Sequence, residues 1–173
     1  SASGTGSGSG TIRYEAPPAN RFAALDGGVA ILSDRELTVL RDDGTEVCRL
    51  SLSLGSPALA ECRGRALAYD VGGTELYVVD ISGEKIHLSL DGAITAAALN
   101  GSGYLAVTAE APNCKSAVSV YDPSGTEIFL FKSAQRFLST ASVTEDGKTL
   151  AAVALGQEGG VFTSSILLYD LTK

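Results

Sequence analysis

The chain has 173 residues, 45% hydrophobic and 19% charged, with a formal net charge of −7. That length and apolar content suit one domain with a packed core rather than a disordered segment. The acidity excludes the basic face that nucleic acid requires and disfavours contact with anionic membranes, and no run approaches the eighteen apolar residues of a spanning helix.

Residues 1–10, SASGTGSGSG, have the composition of a flexible linker. Their glycines do not follow the dinucleotide-cradle spacing, and no helix pattern comes after them. The chain does not start with Met and has no signal-peptide pattern, so it is expected to be a processed piece of something longer. The segment GTIRYEA at 10–16 reads as a strand, ended by Pro17 and Pro18, which have no N–H to give a ladder.

From residue 20 onward two units alternate. The first is a strand of small residues, a glycine turn and a short run that is apolar on both faces. Its copies are FAALDGGVAIL (22–32), ALAECRGRALAY (58–69), AAALNGSGYLAV (96–107) and ASVTEDGKTLAAVA (141–154). The second is an apolar strand, an Asp/Gly turn and a further strand: LTVLRDDGTEV (37–47), LYVVDISGEKI (76–86) and VSVYDPSGTEI (118–128). A fourth copy, ILLYDLTK (166–173), stops at the turn. Glycine suits such turns because a positive φ costs it nothing.

The turn glycines Gly44, Gly83 and Gly125 stand 39 and 42 residues apart, and Gly28, Gly64, Gly103 and Gly147 stand 36, 39 and 44 apart. A period near 40 with four strands per unit predicts an all-β fold, a β-propeller of four antiparallel blades. The blades fall at about 20–53, 57–91, 93–133 and 136–173. Within 11–173 the segment 11–16 is expected to supply the outer strand that the fourth blade lacks. Ala58 and Ala60, Thr95 to Ala97 and Ser139 to Ala141 are small enough for innermost strands at a crowded axis. Two assemblies would cover the apolar blade faces: closure of a four-bladed ring, which is favoured, or a homodimer completing eight blades.

The stretches GGVAILSDRELTVLRDDGTEV (27–47) and FLSTASVTEDGKTLAAVALGQEGG…SSILLYD (137–170) resemble a family of uncharacterised, membrane-anchored propellers of Gram-positive gut anaerobes, a domain of unknown function with blades like those of WD40 repeats. The resemblance spans about 11–173. It implies an extracytoplasmic, cell-surface location, a spanning helix before the propeller and further blades after it. Its motifs build blades and carry no catalytic residues.

Functional signals are sparse. The single histidine, His87, would have to serve any triad, histidine base or histidine metal site, and it reads as a polar residue on the solvent face of an outer strand. The repeated Asp80, Asp122 and Asp170 read as acceptors for the N–H groups of the turns they precede. Asn100-Gly101-Ser102 fits an N-glycosylation pattern and also an ordinary turn. Cys48, Cys62 and Cys114 show no metal or redox spacing, and whether Cys48 pairs with Cys62 is open. No catalytic residue, metal site or cofactor follows from this pattern.

Loop length is the one asymmetry. The connections EAPNCKS (110–116) and LGQEGGVFT (155–163) are longer than their counterparts in the first two blades. Elaborated loops on a rigid frame are where binding residues gather. Glu110, Asn113, Lys115, Gln157, Glu158 and Phe162 are therefore the candidate binding residues, for a protein or glycan partner. The reading that follows is a non-enzymatic binding or scaffold module; the alternative is a carbohydrate-active or other hydrolytic propeller.

Overall fold

The computed structural model describes residues 20–173, and no helix occurs among them. The linker at 1–10 and the closing strand expected at 11–16 lie outside the described residues. Fifteen strands form four antiparallel sheets, each built from one contiguous stretch of chain. Blade 1 contains β1 (Arg21–Leu25), β2 (Gly28–Leu32), β3 (Glu36–Arg41) and β4 (Glu46–Ser51). Blade 2 contains β5 (Pro57–Cys62), β6 (Arg65–Asp70), β7 (Glu75–Asp80) and β8 (Gly83–Ser89). Blade 3 contains β9 (Ile94–Leu99), β10 (Leu105–Ala111), β11 (Cys114–Tyr121) and β12 (Glu127–Ser133). Blade 4 has three strands among the described residues: β13 (Phe137–Val143), β14 (Thr149–Glu158) and β15 (Val161–Asp170).

Each blade pairs its strands in sequence order, so every ladder joins neighbours along the chain. The second strands of blades 2 and 3 are apolar on both faces because a blade lies on each side of them. Ala66, Leu67 and Ala68 in β6 are fully buried, and Leu105 and Val107 in β10 nearly so. Blade 1 packs Leu32, Leu37 and Val39 against Ala66, Ala68 and Val79 of blade 2. Leu67, Leu76 and Val78 of blade 2 then meet Leu105, Val107 and Tyr121 of blade 3, and Val118 and Val120 meet Leu138, Leu150 and Ala152 of blade 4.

Polar bonds fix the angles between blades. The buried Ser116 hydroxyl donates to the Arg136 carbonyl at 3.3 Å and accepts the Leu138 N–H at 2.8 Å, tying blade 3 to the start of blade 4. Asn100, 7% exposed, sends its amide N–H to the Thr144 carbonyl at 2.9 Å while its side-chain oxygen takes the Tyr104 N–H at 2.9 Å. This amide is committed across a blade junction, so the turn reading of Asn100-Gly101-Ser102 prevails over glycan attachment.

Two expectations change on this frame. The long connections are strands rather than loops. The β14–β15 ladder runs through Gly156↔Thr163, Gln157↔Phe162 and Glu158↔Val161, closed by Gly159 and Gly160 at φ 56° and 83°. Two successive positive φ angles make a tight turn whose twist matches the flanking strands, so the ladder continues to its tip. In blade 3, β10 and β11 likewise extend to Ala111↔Cys114, leaving Pro112 and Asn113 as the turn, with Asn113 at φ 61°.

The second change concerns closure within one chain, which was favoured. Ile166 and Leu168 on the outer face of blade 4 are 70% and 69% exposed, so blade 1 does not cover them. The blades form an open arc. Cys48, Cys62 and Cys114 are free thiols here, each partly buried. Burial pushes the Cys48 thiol above its ordinary pKa.

Candidate functional site

The two extended hairpins stand side by side at the same end of neighbouring blades, and Arg136 links them. Its backbone N–H donates to Ser133 Oγ at 3.0 Å, and its carbonyl takes the Ser116 hydroxyl at the base of the first hairpin. Its guanidinium reaches Ser165 Oγ at 3.1 Å and Glu158 at 3.6 Å on the second hairpin. Residue 136 sits between blades, and no local motif announces this role. The only signal in the sequence is its position in the short connection between β12 and β13.

All six candidate residues are exposed, yet they do not converge. Asn113 forms the tip of the first hairpin and Lys115 follows it on β11. Glu158 turns toward Arg136, between blades 3 and 4. Gln157 and Phe162 pair on the opposite face of the second hairpin, away from blade 3, and Phe162 is 86% exposed. Glu110 alone borders a cavity.

That cavity, about 360 Å³, opens between blades 2 and 3 at the base of the first hairpin. Its apolar wall comes from Leu88, Leu90, Ala117 and Leu130. Leu130 of β12 lies opposite Ser119 of β11 and faces residues 88–92, which follow the end of β8. The polar rim is mostly anionic: Asp91, Glu110 and Glu127 stand against one cation, Lys132. Tyr121 donates its hydroxyl to Glu127 at 3.4 Å, and burial followed by the neighbouring carboxylate raises the phenol's pKa. An apolar pocket with a carboxylate rim suits a side chain with an apolar stem and a cationic head, presented by an extended segment.

The residues set aside as structural behave so. Asp80, Asp122 and Asp170 accept the N–H of Ser82, Ser124 and Thr172 at 2.7, 2.9 and 2.9 Å. His87 is exposed on β8, stacked on Tyr77 with ring centroids 4.3 Å apart and hydrogen-bonded to Glu75 at 2.7 Å. These contacts order a strand surface.

Four sequential, radially packed antiparallel sheets of three or four strands define a β-propeller, here an open arc of four blades. The chain belongs to a family of unknown function, DUF5711, whose model matches residues 10–173. Among curated proteins none matches the sequence. Solved structures share the fold. A eukaryotic initiation factor superposes with a TM-score of 0.65 at 11% identity, over 92% of this chain and 41% of its own. Hsv2 of Kluyveromyces lactis gives 0.62 at 10% identity, over 94% and 51%. BamB of Moraxella catarrhalis gives 0.51 at 14% identity, over 84% and 41%. The chain thus spans about half the length of these structures or less.

Proposed function

We propose that this chain is a non-enzymatic recognition module which binds a protein partner through the cavity between blades 2 and 3 and the hairpin above it. The observation that supports this most is the 360 Å³ apolar cavity, walled by Leu88, Leu90 and Leu130 and rimmed by Asp91, Glu110 and Glu127. The partner segment that fits carries a lysine or arginine beside an apolar residue. Its cation meets the carboxylate rim, and its stem lies on the leucines. Display outside the cytoplasm rests on the resemblance of residues 27–47 and 137–170 to membrane-anchored propellers.

Two photo-crosslinking variants test the reading, one with a photoreactive residue at Asn113 and one at Ser124. The two positions lie at opposite ends of blade 3, because successive turns of an antiparallel sheet alternate ends. The expected result is a discrete protein adduct from position 113 in an extract of the native cells, absent from position 124, and lost when Glu110→Lys and Glu127→Lys reverse the rim. Equal labelling from both positions, or an adduct that survives charge reversal, overturns the proposal.

A further inference from the structure

A second cavity, about 250 Å³, opens at the opposite end of the junction between blades 2 and 3, among the turns. Val78 and Ile86 line it from blade 2, and Gly103 and Pro123 from blade 3. Arg65 enters it from the start of β6, two residues before Leu67, which packs with Leu105 and Val107 of blade 3. Side chains two apart on a strand share a face, so the guanidinium is aimed at blade 3. Its Nη1 is buried and has no hydrogen-bond partner among the described residues. Asp80, which lines the same cavity, is committed elsewhere. Its Oδ1 takes the Ser82 N–H at 2.7 Å and the Ser82 hydroxyl at 2.6 Å, and its Oδ2 faces Lys85 Nζ at 3.5 Å.

Packing alone does not account for a guanidinium here. Arg65 follows the turn glycine Gly64 and lies against the turn glycine of the next blade, where a Cβ on Gly103 would strike its Nη1. Tyr104 stands in the same relation one junction on: it follows Gly103, and a Cβ on Gly147 would strike its ring. An aromatic ring fills that position with no charge to neutralise. A guanidinium is charged at every physiological pH, and enclosing one of its nitrogens without an acceptor forfeits a charge-assisted bond that water would have given. Gly103, at φ 93°, lets the backbone of blade 3 come close enough to enclose it.

We propose that this cavity binds a small free monocarboxylate. The two carboxylate oxygens suit the forked N–H groups of Arg65, Lys85 is the second cation, and a short apolar body lies along Val78, Ile86 and Pro123. Charge selects the ligand: Arg65 and Lys85 against Asp80 leave one positive charge, which a carboxylate balances and a phosphate dianion exceeds. Size selects it too, since 250 Å³ lies below the range of sites for drug-sized molecules and admits only a few carbons. The site is at the far end of the junction from the cavity assigned to a protein partner, so the two proposals can fail independently.

Amide and guanidinium NMR spectra of the isotopically labelled 173-residue chain, titrated with butyrate at constant ionic strength, test it. The expected result is a saturable shift of the Gly103 N–H and the Arg65 Nε–H, with a Kd of about 1–10 mM for so small a ligand. Butyramide, the neutral isostere, and inorganic phosphate give no saturable shift over the same concentrations. Arg65→Met keeps the bulk of the stem, removes the charge and weakens butyrate at least ~10-fold. Lys85→Gln, at an exposed position, weakens it about 3-fold. The β-sheet circular dichroism of each variant verifies folding, and the titration of the unaltered chain stands without them. Shifts that stay linear to about 100 mM, that butyramide or phosphate reproduces, or that persist unchanged in Arg65→Met each overturn the inference.

Discussion

Asn100 offers a direct measure of what holds consecutive blades at a fixed angle. Its amide N–H groups point at the Thr144 carbonyl, 2.9 Å away, and the Val143 carbonyl, 3.4 Å away, both in blade 4's first hairpin. Its side-chain oxygen holds the Tyr104 N–H inside the turn from which it projects. Asn100→Ala removes these bonds at a site 7% exposed. A buried peptide group deprived of its partner costs about 1–3 kcal/mol, and the Thr144 carbonyl can recruit water because its residue is exposed. The net loss is therefore about 1–3 kcal/mol. For a chain of this length that lowers the melting temperature by roughly 2–12 °C. Asn100→Asp should be worse at pH 7, since it aims a carboxylate at two carbonyl oxygens. Its deficit relative to Asn100→Ala should shrink toward pH 4 as that carboxylate takes up the proton it then donates. Urea unfolding followed by circular dichroism reads all three proteins. A loss under about 0.5 kcal/mol for Asn100→Ala would refute the idea that this amide stitches the junction.

Gly147 has φ +71°, and a Cβ there would run into the Tyr104 ring packed at the junction of blades 3 and 4. Gly147→Ala should cost about 2 kcal/mol, against about 1 for Gly159→Ala, where φ is +56° but no atom lies within 4 Å; parallel urea titrations compare them. The turn aspartates give the fold an acid limit. Bonds from the Ser124 and Thr172 hydroxyls and their turn N–H groups hold Asp122 and Asp170 below the usual carboxylate pKa, and at Asp80 the Ser82 bonds outweigh the upward push of burial. Depressed folded-state values mean a contribution fully present above the unfolded pKa near 4 and lost as pH falls through the folded values. The urea midpoint should therefore fall on acidification below about pH 4, and Asp122→Asn should flatten part of that slope; an identical pH profile for the variant would contradict the assignment.

The blades were legible in the sequence because both of their determinants are local. Turn glycines recur at nearly constant spacing, and each strand pairs with its sequence neighbour, so no long-range pairing had to be guessed. The length of the two hairpins was misread for an equally local reason. Gly, Gln, Glu, Pro and Asn in 110–116 and 155–163 read as loop, although Gly159-Gly160 and Asn113 are the residues that tolerate the left-handed conformation a tight turn needs. Val161 and Thr163 opposite Glu158 and Gly156 were the overlooked sign of a ladder. Arg136 escaped notice because its partners, Ser116 and Ser165, lie 20 and 29 positions away. The open face of blade 4 could not be read at all: ILLY has the same pattern as LYVV and VSVY, and a buried strand and a bare one are spelled alike.

Because each sheet is a contiguous stretch of chain that touches only its neighbours, the arc has the energetics of a one-dimensional array. Each blade contributes its own stability and each junction a coupling, and terminal blades have one junction where inner blades have two. Cooperativity then depends on the couplings, not on a single shared core. Hydrogen exchange in a lone arc should be slowest in blades 2 and 3 and fastest in blades 1 and 4, a gradient that joining the ends would erase. The same locality lowers the loop-closure cost of folding, so blades can form one after another as the chain emerges, each on the face of the last.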